Sequence, residues 1–146
     1  MSRTIEAFVP YLPTQWLSPN RGERREGRTA FAISGAKMEL RADTATWLLT
    51  LDPVRALKAP FEYARVSVSM HWDKRRRDGL YRPEDSTNAV YALKAFFDGI
   101  KDAGIIKDDG WAHMELGGCR VIPKSRPEGV ALLIEEIERP EVGEDE

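Results

Sequence analysis

Apolar and polar residues alternate along several stretches of the chain and recur at three- and four-residue intervals along others, which separates strands from helices. Thr4 to Val9 puts Ile5, Ala7 and Val9 on one side, and Pro10 and Pro13 stop it, so a first strand is predicted. Between Pro13 and Arg28 the chain carries Pro, Gly, Asn and six arginine or glutamate residues with almost no apolar period, the pattern of a long exposed loop. From about Ala36 to Leu51 the positions Leu40, Thr44, Trp47, Leu48 and Leu51 follow helical spacing. Asp52-Pro53 then reads as an N-cap and first-turn proline opening a short second helical segment. The cleanest alternation runs from Ala64 to Trp72, with Ala64, Val66, Val68, Met70 and Trp72 on one face and Arg65, Ser67, Ser69 and His71 on the other, a strand with one wet face.

Asp73 to Thr87 has no period and reads as a charged loop leading to a helix from about Asn88 to Ala103. On that helix Val90, Leu93, Phe97 and Ile100 share one arc, while Tyr91, Lys94, Asp98, Lys101 and Asp102 occupy the other. Gly104 is placed to end it as a left-handed C′ residue. Alternation resumes over Trp111 to Ile122 with a Gly117-Gly118 break that suggests a bulge or bend, and Gly129 to Ile137 gives a last strand. Lys124 to Glu128 would join these two as a hairpin. The order strand, helix, strand, helix, strand, strand predicts an α+β fold, a mixed β-sheet with two main helices packed on it.

A chain of 146 residues can bury a core without metal or disulfide staples. Residues 1–138 are read as a single domain and 139–146 as an acidic, disordered tail. No uninterrupted apolar stretch exceeds five residues, as in Val130 to Ile134, so no membrane span is expected. Met1 to Pro10 has neither a basic cluster nor an apolar run ending in small residues, and the expected address is cytoplasmic. One cysteine, Cys119, and two histidines, His71 and His113, leave a divalent ion to be held mainly by oxygen. Cys119 has no recognisable histidine partner and reads as a small strand residue. Trp16, Trp47, Trp72 and Trp111 are expected mostly in packing roles.

The net charge of −2 conceals an uneven distribution. Glu135 to Glu146 holds seven acidic residues against Arg139, a local net of −6, which leaves the body of the chain mildly basic at +4. Positive charge gathers at Arg21, Arg24, Arg25 and Arg28 and again at Lys74-Arg75-Arg76-Arg77, where phosphates would be attracted. Taken alone, such charge runs are more often solvated loops.

Carboxylates flank the second helix, with Asp78, Glu84 and Asp85 before it and Asp108 and Asp109 after it. A 16-residue helix is about 24 Å long, so its two ends meet at one ion only if the chain turns back. A strand beginning near Asp109 and running back beside the one that ends at Trp72 would do this, leaving Asp109 to be placed by the sheet and not by the helix. Acidic side chains converging beneath an arginine-rich loop suit Mg²⁺-dependent phosphodiester cleavage, because hard oxygen ligands hold the ion and the ion offsets charge on the scissile phosphate. Paired aspartates are also common turn formers. Lys94 and Asp98 are four apart on the polar face, spacing that fits either an exposed ion pair or a lysine aimed at phosphate.

Taken in order, Lys74-Arg75-Arg76-Arg77-Asp78, Asp85-x-x-Asn88, Lys94-x-x-x-Asp98-Gly99 and Gly104-Ile105-Ile106-x-Asp108-Asp109 resemble the central signature of RusA-type Holliday junction resolvases, over roughly residues 64 to 138. The resemblance implies a homodimeric endonuclease that uses Mg²⁺, with Mn²⁺ as a substitute, and nicks opposing strands of four-way, branched DNA. By position, Asp85 and Asp109 resemble the metal-binding aspartates, Asp108 and Asp98 supporting acids, and Lys94 the functional lysine. Lys74, Arg75, Arg76, Arg77 and Asn88 would contact DNA. Thr87 stands where the family places a second acid, and Gly79 to Glu84 lengthens the passage from the arginines, which makes Asp78 a candidate for the missing ligand. The same departures fit a second reading, a relative that binds branched DNA and cuts it weakly or not at all.

Overall fold

The computed structural model describes residues 2–10, 27–72, 93–110, 112–123 and 127–140, with the side chains of 27–34, 36, 72 and 123 excepted. It is an α+β fold. In chain order the elements are β1 (Thr4–Val9), α1 (Gly27–Leu48), α2 (Asp52–Arg55), β2 (Ala64–Trp72), α3 (Lys94–Asp102), β3 (Met114–Pro123) and β4 (Gly129–Glu136). Among the described residues no helix is long and apolar enough to cross a membrane.

The four strands form one mixed sheet in the order β1-β4-β2-β3, with β4 antiparallel to both β1 and β2 and β3 parallel to β2. Alternation read from the sequence sorts the sheet's two faces as expected: Ile5, Ala7, Val9, Ala64, Val66, Val68, Met70, Val130, Leu132 and Ile134 are all buried on the side the helices cover. The late strands are not the expected hairpin. They run antiparallel to each other, yet β2 is inserted between them. The unbroken apolar run Val130 to Ile134 suits β4 for a place with neighbours on both sides, whereas β3 carries Glu115, Arg120 and a glycine pair and takes the edge. The predicted bulge is present: Gly117 and Gly118 stand opposite the single residue Ser67, where the register shifts between Val66 and Val68. A Cβ on Gly117 would lie 2.2 Å from the Ser67 hydroxyl oxygen.

Helix α1 begins well before the expected Ala36, at Gly27, and its Leu40, Thr44 and Leu48 are buried at successive turns. Asp52 is the first residue of α2 and not its cap, because Leu51 holds the extended cap conformation and Pro53 falls in the first turn. In α3 the buried residues include Leu93 at the cap and Phe96, Phe97 and Ile100 within. The expected start at Asn88 and the core residue Val90 lie outside the described residues, as do the loop from Pro13, the tail beyond 140, and Trp16, Trp111, Tyr81 and Tyr91.

Helix α3 packs on α1 at a close crossing. A Cβ on Gly99 would lie 2.8 Å from both Cβ and Cγ2 of Thr44 and 3.1 Å from the Arg41 carbonyl oxygen, so the two backbones approach as only glycine allows. The Thr44 hydroxyl is buried at this crossing with no hydrogen-bond partner among the described residues. Gly99→Ala is therefore expected to cost about 1 to 3 kcal/mol through overpacking. Thr44→Val, which keeps the shape and removes the unpaired hydroxyl, is expected to be neutral or stabilising by about 1 kcal/mol. Thermal unfolding of the two variants checks both, and an alanine at 99 that leaves the melting temperature unchanged would contradict the crossing.

Candidate active site

The end of α3 decides where the second acidic stretch goes. Gly104 has φ of 81°, the left-handed conformation expected of it, and the last turn closes with Gly104 N–H donating to the Lys101 carbonyl (2.9 Å) and Ile105 N–H to that of Ile100 (3.3 Å). Ile105 and Ile106 are then buried, and the chain is tied to the segment before β2 by Phe61 N–H donating to the Ile105 carbonyl at 2.8 Å. Lys107 adds a 2.7 Å ion pair with Glu62. These contacts turn the chain back along α3, so that Asp109 reaches the helix's first turn.

The route differs from the one expected. β3 does lie beside the strand that ends at Trp72, but it runs parallel to it and not back along it: Met114, where β3 starts, pairs with Ala64 at the start of β2, so the turn carrying Asp109 precedes β3 at that end of the sheet. It is the left-handed turn and the buried isoleucines, and not the sheet as expected, that bring Asp109 in. The chain leaves β2 roughly 27 Å of strand away. Residues 73–92 can span about 66 Å, enough to return to the head of α3.

Lys94, Asp98 and Asp102 lie four residues apart in succession and form one ridge on the exposed face of α3. The Lys94 ammonium donates to Asp98 Oδ1 at 2.9 Å and also to Asp109 Oδ2. The lysine side chain is 58% exposed, but Asp98 and Asp109 retain only 20% and 15% of their surface. Asp108 is turned aside: its Oδ1 accepts the Asp109 backbone N–H at 2.9 Å and lies 3.7 Å from the Lys101 ammonium. It braces the turn and faces another lysine. At the far end of the ridge Arg41 of α1 grips Asp102 with two bonds, Nε to Oδ2 at 2.5 Å and Nη2 to Oδ1 at 2.8 Å.

Burial by itself would push the Asp109 carboxyl up, but the bond and charge from Lys94, together with the Asp108 contact, outweigh it and hold the group below its ordinary value. Burial would likewise lower Lys94, and the bonds from Asp109 and Asp98 reverse that, keeping the ammonium above its ordinary value. Arg41 is held above its usual value by the bond to Asp102, with smaller contributions from the charges of Asp98 and Asp109. The guanidinium in turn holds Asp102 below the usual carboxylate range. Three cations, Arg41, Lys94 and Lys101, are thus interleaved with four aspartates, 98, 102, 108 and 109.

Of the residues singled out from the sequence, Lys94, Asp98 and Asp109 come together and Asp108 supports them. Lys74, Arg75, Arg76, Arg77, Asp78, Asp85, Thr87 and Asn88 lie outside the described residues. Arg41 was missed. Its place beside the buried positions Leu40 and Thr44 marks it as a border residue of α1, but its partner is 61 residues away and no local spacing announces it. His113 sits against the Glu62 carbonyl oxygen, 3.2 Å from Nδ1. Cys119 is half-buried in β3, where burial pushes its thiol up. The Trp47 indole N–H donates to the Phe8 carbonyl at 2.9 Å and ties α1 to β1.

The donor chemistry suits a hard divalent cation. Two carboxylates from separate stretches reach one cationic centre, the Lys94 ammonium, which serves as a stand-in ion with oxygen partners throughout. Among the described residues no three His, Cys, Asp or Glu side chains group as a metal site, so Mg²⁺ would need a further carboxylate from 73–92, where Asp85 and Asp78 lie. No protein-family model matches the chain and no curated protein matches it, so the RusA-type resemblance rests on the motif residues alone.

In metal-free buffer the Asp109 carboxyl, followed by carbon NMR, is expected to titrate below the ordinary aspartate value of about 4. In Lys94→Met, where burial is left uncompensated, it should titrate above that value. A depressed carboxyl stabilises the fold above its unfolded pKa and loses that contribution as pH falls through the folded one; a raised carboxyl does the reverse. The stability deficit of Lys94→Met should therefore be largest near neutrality and shrink below about pH 4. An unchanged Asp109 titration in the variant would contradict this account of the site.

Proposed function

We propose that this protein is a Mg²⁺-dependent, structure-selective endodeoxyribonuclease of the RusA type that resolves four-way DNA junctions by paired phosphodiester hydrolysis. The observation that supports it most is the meeting of Asp98 and Asp109 at the Lys94 ammonium, since these belong to two separate elements of the sequence signature. Asp109, with Asp98 beside it and Asp85 from the preceding stretch, would hold the ion. When bound, Mg²⁺ would offset charge on the scissile phosphate and make a bound water more acidic.

The chain's own residues have separable tasks. Lys94, freed from Asp109, carries a compact positive charge and three donors on a long stem, suited to a phosphate oxygen or to orienting the attacking water. Asp98, one turn below it, keeps the ammonium on the ridge. The basic stretch Lys74 to Arg77, with Asn88, would lie along the DNA backbone, and paired cuts in opposing strands call for two copies of the chain.

A second reading, a branched-DNA-binding relative that does not cut, draws on the same observation, because Lys94 satisfies Asp98 and Asp109 without any metal. One experiment separates them. Purified protein is expected to nick a synthetic four-way junction with Mg²⁺, and Asp109→Asn to lose at least about 100-fold in rate while keeping junction affinity within a few-fold, since a metal-ligand change removes several kcal/mol of transition-state charge stabilisation. Cleavage that persists in the variant would refute the assignment of Asp109. Binding without cleavage across Mg²⁺ and Mn²⁺ titrations would select the second reading. A complex insensitive to salt would count against both.

A further inference from the structure

Arg41 reaches the ridge of α3 from another helix. The close crossing at Gly99 sets the Arg41 carbonyl oxygen 3.1 Å from where a Cβ on Gly99 would stand, and the side chain runs from there to Asp102, three residues on. A guanidinium carries five N–H donors in a flat fork and offers more than one edge to an acceptor. Asp102 takes the edge made by Nε and Nη2, at 2.5 and 2.8 Å. The edge between Nη1 and Nη2 has no partner among the described residues, and the side chain is 41% exposed. An ion pair this open to water adds little to stability, but it holds the fork in one orientation. An arginine held this way has already given up the freedom that a bound anion would otherwise remove.

Charge around the open edge depends on the ion. On the ridge and the turn beside it Arg41, Lys94 and Lys101 stand against Asp98, Asp102, Asp108 and Asp109, a net of −1 that a bound divalent ion would turn to +1. Without Arg41 the loaded site would be neutral and would offer a polyanion no net attraction. The guanidinium also feels the charges of Asp98 and Asp109, so it stands beside the centre that would hold the ion. Asp102 is one turn beyond Asp98, about 6 Å along the helix, so a strand laid over the Lys94 centre passes Arg41 next. We infer that Arg41, held by Asp102, binds a backbone phosphate of the DNA strand with its Nη1–Nη2 edge, beside the phosphate that faces the Lys94 centre, and so fixes where the strand lies over Asp98 and Asp109. The planar edge matches two phosphate oxygens at once. The inference deepens the nuclease reading and rests on it, because that reading supplies the strand. The contact is the same before and during hydrolysis, so it holds the substrate without lowering the barrier.

Binding of the full chain to a labelled four-way junction tests it, followed by fluorescence anisotropy over a series of KCl concentrations, with Ca²⁺ as a hard divalent ion of the same charge as Mg²⁺. Arg41→Ala is expected to weaken binding about tenfold and to lower the salt slope by about one, the counterion released by one phosphate. Asp102→Ala breaks the same ion pair but keeps the guanidinium, so it should hold the wild-type slope and an affinity within about threefold. Circular dichroism checks the fold of both. In cleavage with Mg²⁺ the loss in Arg41→Ala should appear as a KM raised about tenfold, with kcat changed by no more than about twofold. Two variants that behave alike would mean that the pair only joins α1 to α3 and would overturn the inference, as would a wild-type salt slope in Arg41→Ala. Junction binding without cleavage would count against the nuclease reading alone, since the slope still reports the phosphate contact. A wild-type protein that binds no junction would sink both.

Discussion

Two half-buried carboxylates cannot both stay ionised a few ångströms apart without a cation between them, and in this protein the Lys94 ammonium supplies it. Asp98 belongs to α3 and Asp109 to the turn after it, and each has given up most of its contact with water. Desolvating a carboxylate is costly unless opposite charge and hydrogen bonds compensate. While both carboxylates are ionised the site calls for a positive group, and in this structure the lysine is that group. That requirement joins the fold to the proposed chemistry, in which a divalent ion would take the place of the ammonium among the same oxygen atoms.

The rest of the structure places those groups. Gly99 lets α3 lie close on α1, which sets the ridge of Lys94, Asp98 and Asp102 beside Arg41. Gly104 ends the helix in a left-handed turn, and Ile105 and Ile106 sink into the core beside Phe61, so the following aspartates are carried back along the helix they have just left. Asp108 then works locally, accepting the backbone N–H of Asp109 and facing Lys101. Polar contacts on the outside of α3 thus depend on apolar burial beneath it.

Much of this was legible in the chain because it is local. Period-two alternation located β1 and β2 with their buried faces, the glycine pair announced the bulge in β3, Gly104 announced the left-handed turn, and four-residue spacing made Lys94 and Asp98 neighbours. What was not legible depends on contacts between distant residues. A short connection between β3 and β4 suggested a hairpin, and only the demand of β4's apolar run for neighbours on both sides explains why β2 lies between them. Spacing showed that Asp109 had to turn back but not along which path, since direction is set by where Ile105 and Ile106 are buried. The pairing of Arg41 with Asp102, 61 residues apart, had no local signal. For Asp85, Asp78, Asn88 and the basic run the motif alone speaks, as they lie outside the described residues.

Manganese binding followed by amide NMR tests the central claim most directly, since the paramagnetic ion broadens nearby resonances steeply with distance. Titrated into isotopically labelled protein, Mn²⁺ should broaden the amides of Asp98 and Asp109 together and saturably, leave those of β1 and β4 sharp, and shift the Lys94 side-chain resonances as the ammonium gives way. Broadening that never saturates, or that centres on any other part of the molecule, would contradict the view that these two aspartates share one exchangeable cation.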